Sequence, residues 1–390
     1  MADPERFERG LARDAANFQP LSPLGFLDWA ATTFPGKLAV VDGAARYSYR
    51  TFAERCRRLG GALAARGLGA GDVVSVLAPN SAPLLEAHYG VPLAGAVLNA
   101  LNTRLDPQSI AYILAHARSR LLICDVELAD VARAALAEME DAPALIVAGG
   151  GEDGYEAMLA AASPRVAAGP DDEWRALSVC YTSGTTGRPK GAVYHHRGAC
   201  LNALGNALVF GLGPDSVYLW TLPMFHCNGW TYTWAVTAVG GTHVCLRKVA
   251  AGAVFEAIAA HRVTHLCGAP VVLNMLAHSR EKPTRPFDHK VKVATGGAAP
   301  PSPVIAAMEP LGFEVVHLYG LTETYGPATV AAAQPDWPEL PVEERARAMA
   351  RQGVRYPTLA ELIVADGRTL EPVPADGVTL GEVLVRGNTV

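Results

Sequence analysis

From about residue 37 the sequence alternates between short β-branched runs and longer Ala- and Leu-rich segments, and no other feature constrains the fold as strongly. The runs 73–77, 120–124 and 145–147 are apolar almost throughout, as strands covered on both faces must be. Residues 50–66 carry Phe52, Cys56, Leu59 and Leu63 on one helical face, and 81–93 and 107–116 read as further helices. Strand–helix–strand repetition predicts α/β layers: mainly parallel sheets with helices on both sides. A chain of 390 residues exceeds what a single core usually holds, so more than one lobe is expected. With 50% hydrophobic and only 18% charged residues, the chain is excluded from the disordered class.

The pattern breaks after residue 147 at a Gly-rich stretch and resumes at 177–181. Strands are then predicted at 216–219, 242–246, 265–268, 291–295 and 314–318, with helices at 253–261, 271–277 and 303–311. After Pro335 the character changes to an exposed helix and the β-like runs 361–364 and 381–386. The expected division is a first α/β subdomain over 1–170, a second over 171–335, and the start of a small β-rich subdomain over 336–390. The chain ends in a strand and the start of a turn, which reads as a truncation.

A net charge of −5 argues against nucleic acid as a partner, because no basic excess exists to displace counterions. Seven cysteines without a Cys-x-x-Cys point to reduced thiols rather than disulfides or a zinc ribbon. The charged N-terminus has no apolar core of a signal peptide. The longest apolar stretch, 91–101, is shorter than the ~20 residues a membrane helix needs. A soluble, cytoplasmic protein is the expectation, with a homodimer left open.

Directly after the apolar run 177–181 stands TSGTTGRPKG, residues 182–191. Its glycines let backbone N–H groups approach an anion, its hydroxyls donate hydrogen bonds, and Lys190 adds a point charge. That equipment suits a polyphosphate. It is not the Gly-x4-Gly-Lys-Ser/Thr loop, since Pro189 precedes the lysine and Gly191 follows it, which disfavours a phosphotransfer kinase of that type. A second motif, YGLTET (319–324), again follows a strand. Tyr319 offers a flat ring, Thr322 a hydroxyl and Glu323 a carboxylate, although Thr322 and Glu323 would equally suit the start of a helix.

In this order the two motifs resemble the adenylate-forming superfamily of acyl-CoA synthetases, adenylation domains and luciferases. PMFHCNGW (223–230), YHHRGA (194–199) and RQGVRYP (351–357) resemble acyl-activating enzymes for short- and medium-chain acids, a group that includes methylmercaptopropionate-CoA ligases. The resemblance implies a fold, the N-terminal domain of an adenylate-forming enzyme, and a reaction: ATP-dependent conversion of a carboxylic acid to an acyl-adenylate and then to a thioester with coenzyme A. It implies that Thr182, Ser183, Gly184, Thr185, Thr186, Gly187 and Lys190 hold the β- and γ-phosphates of ATP. Gly296, Gly297 and Ala298 would flank the adenine, with Tyr319 and Gly320 at its face. Thr322 would contact the α-phosphate and Glu323 would bind Mg²⁺. His226 would lie beside the substrate carboxylate, with Trp230 and Gly297 at the acyl pocket. In the family the chain continues into a ribose-binding Asp, a hinge and a C-terminal domain bearing a catalytic Lys, so these 390 residues alone are not expected to form a thioester.

Elementary chemistry agrees with that assignment. A carboxylate is a poor electrophile, and a protein that activates it must align two anions and neutralise the charge between them. Lys190, His226, Thr322 and Glu323 are suited to that. An amino-acid-activating domain is disfavoured, because no acid stands between Asp215 and Glu256 to receive a substrate ammonium. An aryl-acid adenylation domain and a nucleotide- or acyl-binding module without chemistry remain as alternatives. Cys227 lacks an evident base and reads as a buried small residue. His195 and His196 read as a surface turn or loop support. His261 and His265 straddle a helix end and a strand, which is poor geometry for a zinc pair.

Overall fold

The computed structural model describes residues 7–149, 154–165, 169–182 and 188–390. Among these, two large sheets and one hairpin carry the architecture, and the α/β class with mainly parallel sheets stands.

The smaller of the two sheets has six strands in the order Ala144–Ala148, Ser119–Asp125, Val73–Leu77, Val97–Ala100, Ala176–Thr182 and Lys190–His195. All pairs are parallel except the last, an antiparallel hairpin in which Thr182 faces Lys190. The larger sheet has nine strands. Its parallel centre runs Phe313–Leu321, Val291–Thr295, His265–Gly268, Val217–Trp220, Thr242–Cys245 and Leu38–Asp42. The short strand Ala45–Ser48 closes one edge, and Gly326–Val330 and Val354–Arg355 close the other.

Sheet membership does not follow the linear division at residue 170. Ala176–Thr182 docks beside Val97–Ala100 in the first sheet, while the N-terminal hairpin joins the far edge of the second. Such crossings are decided by which strand edge is open, a long-range fact that local periodicity does not carry.

The helices Tyr49–Ala65, Ala82–Leu93 and His196–Phe210 lie between the sheets in one continuous apolar core. Ala82–Leu93 is buried on every side, which explains why its sequence is apolar all round and not striped. Separate apolar clusters cover the outer face of each sheet. The result is a five-layer αβαβα stack. At the C-terminal end Glu361–Ala365 pairs antiparallel with Glu382–Arg386 as an exposed two-stranded hairpin.

The histidines sort accordingly. His195 caps the helix His196–Phe210, its Nδ1 accepting the Gly198 N–H at 2.8 Å. His196 is buried against the Ser22 hydroxyl at 2.9 Å, and so does not belong to a surface turn. His261 ends the helix Ala251–His261, and His265 opens the next strand.

Candidate active site

Where the strand Phe313–Leu321 leaves the nine-stranded sheet, the chain makes a single 3-10 turn, Thr322–Thr324. Thr324 holds this turn from within: its hydroxyl accepts the Leu321 N–H at 2.9 Å and donates to the Gly326 carbonyl at 2.7 Å. From outside, the Tyr194 hydroxyl donates to the Thr322 carbonyl at 2.8 Å, and the Asn202 amide donates to the Tyr325 carbonyl at 2.8 Å. The backbone is thus fixed while Glu323 stands exposed and the Thr322 side chain is half-buried.

Facing this turn is a second one of a different kind. Cys227, Asn228, Gly229, Trp230 and Thr231 have φ of 43°, 44°, 61°, 52° and 61°, a full left-handed turn of which only one member is glycine. Each non-glycine residue in that region costs on the order of 1 kcal/mol, so the surroundings must hold it. Asn206 does much of this: its amide donates to the Trp230 carbonyl at 2.7 Å and to the Thr231 hydroxyl at 2.8 Å, and its oxygen accepts from Tyr356 at 3.0 Å. Gly229 has no alternative, because a Cβ there would come within 2.8 Å of the Trp220 ring. Among the described residues, neither polar atom of the buried Asn228 side chain has a hydrogen-bond partner.

The two turns wall a cleft of about 170 Å³, lined by His226, Trp230, Gly297, Tyr319, Gly320 and Thr322 together with Cys227, Leu318, Leu321, Gly326 and Pro327. Six residues singled out in the sequence thus converge from segments far apart in the chain. Gly296 lies just outside this lining and is as tightly placed: a Cβ there would come 2.6 Å from the Leu318 carbonyl and 2.9 Å from the Trp230 ring. Trp230 is 5% exposed, its ring filling the inner wall. His226 is solvent-facing at the mouth, and partial desolvation holds its pKa below the ordinary imidazole value, favouring the neutral ring. Glu323 sits one residue beyond the cleft and Ala298 one residue past Gly297, both exposed.

Thr182 and Lys190 are opposite each other at the mouth of the hairpin Ala176–Thr182/Lys190–His195, and neither lines this cleft. Ser183, Gly184, Thr185, Thr186 and Gly187 lie outside the described residues.

Cys227 is buried with its Sγ 3.5 Å from the Thr322 hydroxyl. The neighbouring Cys180 and burial raise its pKa well above the ordinary thiol value, which keeps it protonated and unsuited to nucleophilic attack. Sequence reasoning gave no role to Asn206 or to Tyr325. Asn206 sits mid-helix without a motif, so no local signal marks it. Tyr325 follows YGLTET directly and takes φ of 61°, which its residue type does not announce.

The chain as a whole is similar to proteins of known activity. The AMP-binding enzyme family matches residues 27–390. The peroxisomal acetate/butyrate–CoA ligase of Arabidopsis thaliana is 45% identical over 403 residues, covering 97% of this chain and 71% of its own length. The peroxisomal trans-cinnamate:CoA ligase of Petunia hybrida is 39% identical, covering 97% of this chain and 71% of its own. Among solved structures, the N-terminal domain of FACL13 from Mycobacterium tuberculosis superposes with a TM-score of 0.80 at 27% identity, covering 95% of this chain and 90% of that one. These relatives overturn the cytoplasmic expectation: both plant ligases are named peroxisomal, so a charged N-terminus and the lack of a long apolar run do not fix the compartment. Among the described residues no helix is long and apolar enough to cross a membrane. The two plant relatives are named as CoA ligases, and the chain belongs to the AMP-binding enzyme family.

Proposed function

We propose that this chain carries the site at which a small carboxylic acid is activated with ATP for transfer to coenzyme A, with the cleft between the two turns as the place where acid and α-phosphate meet. The observation that carries this reading is the convergence of His226, Trp230, Tyr319 and Thr322 on one cleft of about 170 Å³. That is below the roughly 300–1,000 Å³ of drug-sized pockets, and it suits a short acid whose tail ends at the Trp230 ring.

In this reading the acid carboxylate lies beside His226, whose neutral ring donates a hydrogen bond without demanding a proton. A carboxylate oxygen attacks the α-phosphorus of ATP, the bond to the β-phosphate oxygen breaks, and pyrophosphate leaves. Thr322 touches the α-phosphate, its backbone held by Thr324 so that little reorganisation is needed. Tyr319, half-buried at the end of its strand, offers a ring face to the adenine beside Gly296, Gly297 and Ala298. Lys190, at the end of the loop that begins with Thr182, neutralises the departing phosphates. Attack of the coenzyme A thiol on the acyl carbon then releases AMP.

Glu323 fits a magnesium site: an exposed single carboxylate next to the phosphate-facing Thr322 is the donor set a Mg²⁺ shared with polyphosphate uses. Bound there, the ion would neutralise charge on the phosphates. The test is acid-dependent pyrophosphate–ATP exchange by the complete protein across acetate to octanoate, benzoate and cinnamate. Exchange with short aliphatic acids is expected. Exchange driven only by aryl or long-chain acids would overturn the short-acid reading, and ATP binding without exchange for any acid would favour a binding module.

A further inference from the structure

The nucleotide-facing residues stand on two different sheets. Lys190 begins an edge strand of the six-stranded sheet, whereas Thr322 and Glu323 follow a strand of the nine-stranded sheet. A phosphate chain held between them is gripped productively only if the two sheets are fixed relative to one another at this point to within a fraction of an ångström.

Among the described residues, two stacked tyrosines span the gap. Tyr194 lies on the strand that Lys190 opens, four residues further on. Its ring stacks on Tyr325 with centroids 3.6 Å apart and planes at 17°. Its hydroxyl donates to the Thr322 carbonyl at 2.8 Å, an oxygen that also accepts the Tyr325 N–H at 3.1 Å. Tyr325 reaches back in turn, its hydroxyl 3.2 Å from the Ser178 hydroxyl on the neighbouring strand of the hairpin. Both tyrosines are buried, and burial pushes the Tyr194 phenol well above its ordinary pKa, so the hydroxyl stays a donor.

We infer that Tyr194 is a positioning residue for adenylation: it locks the turn bearing Thr322 and Glu323 to the strand bearing Lys190, and thereby sets the spacing at which the two halves of the site grip the phosphates. It touches neither substrate. A strand holds its residues at a fixed rise, so the distance from Lys190 to the Tyr194 ring is rigid, and the stack with Tyr325 transfers that distance to the turn. The acid-facing residues His226 and Trp230 belong to the other turn, so the inference separates the two substrates: loss of the Tyr194 hydroxyl affects ATP and leaves the acid alone.

The inference rests on the proposed reaction, and the test keeps the two apart. Tyr194→Phe removes one hydrogen bond and retains the stack. Tyr155→Phe serves as control, because its buried hydroxyl donates to Glu86 at 2.8 Å in a different part of the core. Calorimetric MgATP binding, KM for ATP and acid, kcat for exchange, and melting temperature are measured for wild type and both variants. Tyr194→Phe is expected to lower kcat/KM for ATP by about three- to tenfold, the size of one net hydrogen bond, with KM for the acid unchanged and thermal stability lowered no more than in Tyr155→Phe. Equal ATP parameters in wild type and Tyr194→Phe would overturn the inference. Parallel loss for ATP and acid with a lower melting temperature would also overturn it, leaving a packing role. A wild-type chain that binds MgATP but exchanges no pyrophosphate would instead defeat the proposed reaction, with the binding comparison still deciding on Tyr194.

Discussion

The two turns that wall the cleft are built on opposite principles. The Thr322–Thr324 turn has no positive φ before Tyr325 and is fixed by its own Thr324, whose hydroxyl bonds Leu321 and Gly326, supplemented by Tyr194 and Asn202. The turn from Cys227 to Thr231 is left-handed throughout, has no side-chain cap of its own, and is held by Asn206, more than twenty residues away. In the proposed reading the first presents hydroxyl and carboxylate to the phosphates, where charge is rearranged, and the second presents His226 and Trp230 to the acid, where shape decides. Preorganisation of charge can be encoded in a hexapeptide, whereas an unusual wall shape needs strain that a remote residue offsets.

The comparison breaks most visibly at Trp230. Its ring is 5% exposed and packs against Gly296 and Gly326, so Trp230→Ala opens a hole in the wall of the left-handed turn. A stability loss of about 3–5 kcal/mol is expected, together with a shift of preference toward longer acids at roughly fourfold per methylene accommodated. Chemical denaturation and the ranking of acids in exchange check the two parts. A lowered midpoint with an unchanged ranking would assign the ring to packing alone.

Glu323→Gln probes the other turn. The side chain is exposed and the turn is held by Thr324 and Tyr194, so folding should be untouched. The barrier to adenylate formation should rise by about 2–4 kcal/mol, a loss comparable to removing one preorganised electrostatic partner. Pyrophosphate exchange at saturating Mg²⁺ measures it, and a near wild-type rate would remove Glu323 from the phosphate side.

Much of the fold was legible because its signals are local. The strand predicted at 73–77 and the helix at 107–116 coincide with Val73–Leu77 and Pro107–His116. Leu38–Asp42 was not legible as a strand of the nine-stranded sheet, since its parallel partner Thr242–Cys245 lies two hundred residues away. In the site, YGLTET could be read as chemistry because residue types name their own functional groups. The left-handed turn could not: CNGW contains Asn and Gly, which tolerate positive φ, but nothing in Cys227, Trp230 or Thr231 announces it. Asn206 was silent for the same reason, and Tyr194, although it opens YHHRGA, was given no role of its own; both act only through partners that the fold brings to them.

Asn206→Ala tests whether the remote clamp is what sustains the left-handed turn. The substitution leaves the Trp230 carbonyl, the Thr231 hydroxyl and the Tyr356 hydroxyl without their buried partner. A loss of about 1–3 kcal/mol in stability is expected, with KM for the acid raised and KM for ATP unchanged. If ATP and acid were affected alike, the two walls would not be independent in the way their construction implies.

Low pH should reach the same turn from below, in small steps of about 1.4 kcal/mol per pH unit. Trp220, whose ring abuts Gly229, stacks on the fully buried His243 with centroids 6.0 Å apart and planes at 6°. Trp220 Nε1 donates to His243 Nδ1 at 3.1 Å, which leaves Nε2 to carry the proton toward the Thr237 hydroxyl at 3.0 Å. A second proton on Nδ1 would point at the indole N–H, and desolvation, reinforced by His88, lowers the His243 pKa to about 3. The folded-state pKa is thus depressed below the ordinary 6.5, so the unfolded chain binds a proton that the native state refuses. The stability this group contributes is present in full above about pH 6.5 and falls with pH toward about 3. Its share is about 1.4 kcal/mol per pH unit inside that window. Urea unfolding of wild type and His243→Phe at pH 6, 5 and 4 isolates it, because every other titrating group is common to both chains. The difference in unfolding free energy between the two should shrink by about that amount per unit as the solution is acidified. A difference that stays constant with pH would mean that His243 is not held neutral beneath the turn.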